Sequence, residues 1–257
     1  MHESAWSKTK QILRHTVAIA SLPLVLAACS ENADDGQAVP GAGTSRVETE
    51  LPAIPVMGPE VNVLAFGNSL FAGYGLKDGE SYPAKLERAL RSKGVNAVIA
   101  NAGVSGDTTA AGLDRLEFTL DAQETKPDLF ILELGGNDLL RGLSPAETRA
   151  NFVAMLDELK ERDIPVLLMG MRAPPNYGPE YQADFDALYG ELAREYGAQL
   201  IPFWLEDIYE DPTLFQSDRI HPSAEGIEAL VASTLDQVEN ALPVSDNLEP
   251  VAAEPTQ

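Results

Sequence analysis

Residues 128–136 read DLFILELGG, and this stretch decides the architecture. Asp128–Leu134 is a run too short and too apolar for a surface helix, and two glycines close it. It reads as a strand covered on both faces, the kind found in parallel sheets. Working outward, the same signal recurs. Val61–Phe66 (VNVLAF) precedes it, and Val95–Ala100 follows the stop at Gly94. Ile164–Gly170 (IPVLLMG) and Ala198–Phe203 come after. Helical periodicity fills the gaps at Tyr82–Arg91, Thr108–Leu120, Pro145–Arg162, Tyr181–Tyr196 and Ser223–Asn240. In Pro145–Arg162, Phe152, Leu156 and Leu159 share one face. Five strands separated by helices predict an α/β fold, a three-layer α/β/α sandwich on a mostly parallel sheet. Ligands of such sheets bind at the carboxyl ends of the strands.

Composition removes several function classes. The chain has 257 residues, and 18 Lys+Arg against 40 Asp+Glu give a net charge of −22. That balance argues against nucleic acid as a partner, because nothing neutralises a run of phosphates. It argues equally against a basic patch for anionic lipid. An apolar fraction of 44% argues against global disorder. The single cysteine, Cys29, excludes an internal disulfide and any multi-cysteine metal site.

That cysteine has its own reading. Lys8, Lys10 and Arg14 form a basic start, and Thr16–Ala28 (TVAIASLPLVLAA) is uncharged but too short to span a bilayer. The run ends in Leu26-Ala27-Ala28-Cys29, which resembles the lipobox of bacterial lipoproteins. Residues 1–29 are therefore expected to be a lipoprotein-type signal peptide, with Cys29 lipidated. An ordinary signal peptide, or a short anchor with an incidental cysteine, is the other reading. Ser30 rather than Asp after the cysteine favours the outer membrane over the inner. Residues 30–57 read as a flexible acidic tether, residues 58–242 as the folded domain, and residues 243–257 as a disordered tail.

Within the domain, polar residues gather after the strands. They are Gly67-Asn68-Ser69-Leu70, Asn101–Thr108 (NAGVSGDT), Gly135-Gly136-Asn137-Asp138 and Arg172–Gly178 (RAPPNYG). A fifth group, Asp218-Arg219-Ile220-His221-Pro222, stands before the last helix. His2 and His15 lie in the signal segment, so any imidazole base of the domain is His221. Asp218, three residues earlier, can fix the tautomer of its ring. Ser69 at a strand end, two residues after a glycine, is a candidate nucleophile. Gly106 N–H, the Asn137 amide and Ser69 N–H are candidate donors to an oxyanion. Each residue has an ordinary alternative as a turn or cap residue.

Together these blocks resemble the SGNH (GDSL-type) hydrolase superfamily, in particular its bacterial arylesterase and thioesterase–lysophospholipase branch. The stretches that carry the likeness are GNSLFAGYGL, NAGVSGDTT, ELGGNDLLRG, RAPPNYG and DRIHP, spanning almost all of residues 61–240. The resemblance implies a flavodoxin-like SGNH hydrolase fold and a triad of Ser69, His221 and Asp218. It implies an oxyanion hole of Ser69, Gly106 and Asn137, with no metal or cofactor. The expected reaction is hydrolysis of carboxylic esters through an acyl-enzyme: aryl esters, short-to-medium acyl esters, lysophospholipids or thioesters. Leu70, Phe71, Leu139 and Tyr177 are expected to line an acyl site, or else simply to pack the loops. One departure stands out. The family carries Asp where this chain has Asn68, and restoring Asp there is expected to preserve or raise activity. The alternatives are a surface-glycan O-deacetylase of the same superfamily and a non-catalytic flavodoxin-like binding lipoprotein. The expected partner is a small or lipid-derived ester, and the expected location is the periplasm, held by a lipid anchor.

Overall fold

The computed structural model describes residues 54–243. The sequence expectations for the signal peptide, for Cys29, for most of the tether and for the tail lie outside these residues. Five strands form one sheet: β1 (Val61–Gly67), β2 (Ala97–Gly103), β3 (Leu129–Glu133), β4 (Val166–Met169) and β5 (Gln199–Ile201). Their order is β2-β1-β3-β4-β5, and every neighbouring pair is parallel. The helices are α1 (Ser69–Ala72), α2 (Tyr82–Ser92), α3 (Thr109–Asp121), α4 (Gly136–Leu140), α5 (Pro145–Glu161), α6 (Pro179–Tyr196), α7 (Glu206–Tyr209) and α8 (Ala224–Ala241).

The two faces of the sheet carry different cores, because successive side chains of a strand point in opposite directions. Val63, Ala65, Leu129, Ile131, Leu167 and Met169 join Leu86, Leu90, Ile227 and Leu230 beneath α2 and α8. Leu64, Phe66, Phe130, Leu132 and Leu168 join Leu116, Phe152, Leu156 and Leu188 beneath α3, α5 and α6. The expected three-layer α/β sandwich is thus present.

Local signals set the helix starts. Ser81 Oγ accepts from Ala84 N, Thr108 Oγ1 from Ala111 N, Ser144 Oγ from Glu147 N, and Ser223 Oγ from Gly226 N. Each satisfies an N–H that the first helical turn leaves free. Two differences from the sequence reading matter for the site. Strand β2 runs on through Asn101-Ala102-Gly103, beyond the Ala100 end that the sequence pattern predicts, because Gly67 pairs with Gly103 in register. The loops after β1 and β3 fold into the one-turn helices α1 and α4, so their polar residues sit on helical turns.

From β1 the chain moves to one edge at β2 and then crosses back over β1 to β3, so the direction of winding reverses at β1. Parallel α/β sheets open a crevice at that point, at the carboxyl ends of the strands. Ser69 begins the helix that follows β1.

Candidate active site

Strand β1 delivers the serine through a tight turn. A Cβ on Gly67 would fall 2.8 Å from Glu133 Oε2 and 2.9 Å from the Glu133 carbonyl, so only glycine fits. Asn68 then caps α1, its Oδ1 accepting from Leu70 N at 3.0 Å and facing Ser69 Oγ at 3.4 Å. The rest of Asn68 is held from below by Glu133. Asn68 N donates to Glu133 Oε2 at 3.2 Å, and Asn68 Nδ2 donates to Oε1 at 3.1 Å. Glu133 is fully buried, and loss of hydration pushes its carboxyl up to about 8 against the opposing pull of the two Asn68 hydrogen bonds.

The histidine comes from the other end of the chain. His221 Nε2 lies 2.8 Å from Ser69 Oγ, and Nδ1 lies 2.7 Å from Asp218 Oδ2. With Nδ1–H donating to Asp218, Nε2 is the acceptor for the serine proton. The other Asp218 oxygen, Oδ1, accepts from Ile220 N at 2.9 Å and His221 N at 3.0 Å. One carboxylate thereby orients the ring and shapes the turn that carries it. Desolvation opposes its charge, but the His221 side chain and the N–H groups of Ile220 and His221 outweigh that and bring Asp218 down to about 2. It therefore stays ionised throughout the neutral range.

Gln216 ties the two ends together. Its Nε2 donates to the Tyr74 carbonyl at 2.7 Å and to the Pro222 carbonyl at 3.0 Å, and its backbone N donates to the His221 carbonyl at 2.8 Å. Tyr74 also lays its ring against the imidazole, with centroids 4.5 Å apart.

The candidate oxyanion donors are joined through the backbone of the second loop. Asn137 Nδ2 donates one hydrogen to the Asp107 carbonyl at 2.9 Å, which leaves its second N–H for another acceptor. Arg141 Nη2 donates to the Gly106 carbonyl at 2.7 Å, and Gly106 has φ +90°, a conformation that favours glycine. Arg115 links the first and second loops. It pairs with Asp107 at 2.6 Å, donates to the Gly67 carbonyl at 3.0 Å and lies over the Phe66 ring at 3.8 Å. Beneath them Asp138 is buried, accepting from Thr109 N at 2.9 Å and from the Thr109 hydroxyl.

A cavity of about 560 Å³ opens beside Ser69, Asn137 and His221. Leu70, Leu139, Met171, Phe203, Leu205 and Ile220 give it an apolar wall. Two sequence expectations need correction here. Tyr177 does not line this cavity; its hydroxyl donates to the Leu139 carbonyl at 2.8 Å, so it braces the wall from behind. Phe71 is fully buried and stacks on Tyr82, where it belongs to the core. Sequence reasoning also missed Glu133, Gln216, Arg115 and Arg141. Glu133 had a visible signal, a single charge inside an otherwise apolar strand. Among the described residues, no cluster of three or more His, Cys, Asp or Glu is arranged to hold a metal.

The model of the GDSL-like Lipase/Acylhydrolase family matches residues 65–229. Esterase TesA of Pseudomonas aeruginosa is 40% identical over 161 residues, 63% of this chain and 79% of the relative. An arylesterase of Vibrio mimicus is 40% identical over 163 residues, 63% of this chain and 80% of the relative. Among solved structures, the SGNH-hydrolase family esterase AlinE4 is 62% identical, with a TM-score of 0.62 over 73% of this chain and 99% of its own. Solved variants of AlinE4 include one with a serine and one with an aspartate replaced by alanine. A family match from β1 to α8, together with relatives aligned over most of their length, places the chain in the GDSL-like lipase/acylhydrolase family.

Proposed function

We propose that the protein hydrolyses carboxylic esters with Ser69 as nucleophile, His221 as base and Asp218 as the residue that orients it. The observation that carries this reading is the continuous relay from Asp218 Oδ2 through both imidazole nitrogens to Ser69 Oγ, with steps of 2.7 and 2.8 Å. His221 takes the Ser69 proton as the hydroxyl oxygen attacks the ester carbonyl. The oxyanion is received by Ser69 N–H, Gly106 N–H and the free Asn137 amide hydrogen, each such donor contributing about 3–4 kcal/mol. His221 then returns its proton to the departing alcohol, aryl alcohol or thiol. Water activated by the same imidazole releases the acid and regenerates Ser69.

The apolar wall of Leu70 and Leu139 suits an acyl chain, and a cavity of about 560 Å³ suits a short-to-medium one. Aryl esters, lysophospholipids and thioesters all present such a chain. We place the enzyme in the periplasm, anchored through lipid on Cys29, with a slight preference for the outer membrane. A tether of about 28 residues then gives the domain a reach of roughly 30 Å.

Fluorophosphonate labelling tests the assignment. Covalent labelling of the wild-type protein and none of Ser69→Ala is the expected result, whereas an unreactive wild-type protein would overturn it. Mass spectrometry of the mature N-terminus tests the anchor, which predicts a chain starting at a lipid-modified Cys29.

A further inference from the structure

The cavity beside Ser69 carries charge opposite in sign to that of the protein. The chain has 40 acids against 18 bases, yet two arginines, Arg172 and Arg219, and a single acid, Glu210, are among the residues that line the cavity. Arg172 is partly engaged. Its Nη1 lies 3.5 Å from Glu206 Oε1, and its guanidinium sits 5.1 Å from the Phe203 ring centre, which holds it to the wall. Arg219 is not engaged. Among the described residues its guanidinium takes part in no ion pair.

The backbone at Arg219 sharpens the point. Its φ is +58°, a left-handed conformation that L side chains rarely adopt. The turn needs this shape, because Arg219 N donates to the Gln216 carbonyl while Asp218 Oδ1 gathers the N–H groups of the next two residues. Glycine would make the same turn without strain. The turn therefore does not require an arginine, and this one stands at the border of the cavity. Arg219 is exposed and borders the cavity, so the attraction of its guanidinium for an anion is strongest at low salt. Its planar fork also matches a carboxylate or phosphate. The protein's long-range field repels anions, so a local cation at the cavity reverses that disadvantage where the substrate docks.

We propose that Arg219, supported by Arg172, is a specificity-determining anion contact that makes the enzyme prefer esters carrying a second, negatively charged group over neutral esters of the same size. The inference rests on the esterase reading above. Its test uses the full protein and three nitrophenyl esters: the neutral pentanoate, the glutarate monoester with a carboxylate on the acyl side, and the pentanoate of a carboxylated nitrophenol. The readout is the ratio of kcat/KM for each anionic ester to that for the neutral one, at low salt. Arg219→Glu should lower at least one ratio by about tenfold or more, Arg219→Gly should lower it by about threefold or more, and Arg219→Lys should keep most of it. The arm that falls identifies whether the anion sits on the acyl or the leaving-group side. If both ratios stay fixed in Arg219→Glu while the wild-type enzyme cleaves the neutral ester, the anion contact is refuted and the esterase reading stands. If the wild-type enzyme cleaves none of the three esters, both fall.

Discussion

Replacing Glu133 with glutamine exchanges an acceptor for a donor beneath Ser69. Both carboxyl oxygens of Glu133 accept from Asn68, one from its backbone N–H at 3.2 Å and one from its side-chain amide at 3.1 Å. A glutamine has one oxygen, so its amide nitrogen must meet one of those two donors. Leaving one buried donor unpaired costs about 1–3 kcal/mol, or roughly fivefold to 150-fold if all of it falls on the transition state. The cost reaches the chemistry because Asn68 Oδ1 also positions Leu70 N and faces Ser69 Oγ. Adding Asn68→Asp should repair the pair. The new glutamine amide then donates to the new carboxylate, and its oxygen still accepts from the backbone N–H of residue 68. Asn68→Asp alone sets acceptor against acceptor and works only while Glu133 keeps the proton that burial favours up to about pH 8. The sequence expectation that this change preserves or raises activity therefore gains a pH limit. The assay is kcat/KM for a neutral nitrophenyl ester, with urea midpoints, for the four members of the cycle. Coupling should be about 1–3 kcal/mol in favour of the double variant. The reasoning is refuted if Glu133→Gln matches wild type in both measurements, or if the double variant is no better than Glu133→Gln.

Further outcomes follow from the same geometry. Ser69→Ala should lower kcat by about 10⁴-fold or more while circular dichroism and the urea midpoint stay native. Because the folded-state pKa of Glu133 is raised, its contribution to stability is complete below about pH 4.5 and is lost as pH rises through about 8. Urea midpoints should thus fall between pH 5 and 9 in wild type and fall less in Glu133→Gln. Gln216→Ala removes the bonds to Tyr74 and Pro222, and should lower kcat/KM by roughly tenfold, with a smaller change in the urea midpoint. Gly103→Ala would put a Cβ 2.4 Å from the Ala72 backbone N, and should destabilise the fold by about 3 kcal/mol in urea unfolding.

The sequence carried the architecture because parallel strands leave a signature that is hard to mimic. VNVLAF and DLFILEL are apolar on both faces, and helical periodicity fills the stretches between the strands. The strand ends likewise mark Ser69 and Asn137, and the turn before the last helix marks His221. The supporting residues were hidden for a physical reason. Gln216 matters through contacts with Tyr74, 142 positions away, and no local pattern marks a side chain whose partners are two carbonyl groups. Tyr177 misled because nearness in sequence to a catalytic block does not say which way a ring points. Glu133 was visible as a charge in an apolar strand, yet its role depends on a register between β1 and β3 that only folding supplies.

The turn that carries Asp218 and His221 makes them one component. Both oxygens of a single carboxylate are spent inside four residues, so the acid and the base keep their mutual geometry even if the loop moves. The serine belongs to a different component, riveted to the sheet through Asn68 and Glu133. What joins the two is one glutamine side chain, a ring contact and the Ser69–His221 hydrogen bond itself. Heat would part this seam before it melts the sheet, since surface loops open at a lower free energy than core strands do. Inactivation and unfolding are then separate events, and an engineer seeking a hardier catalyst gains more from reinforcing the seam around Gln216 than from improving an already dense core.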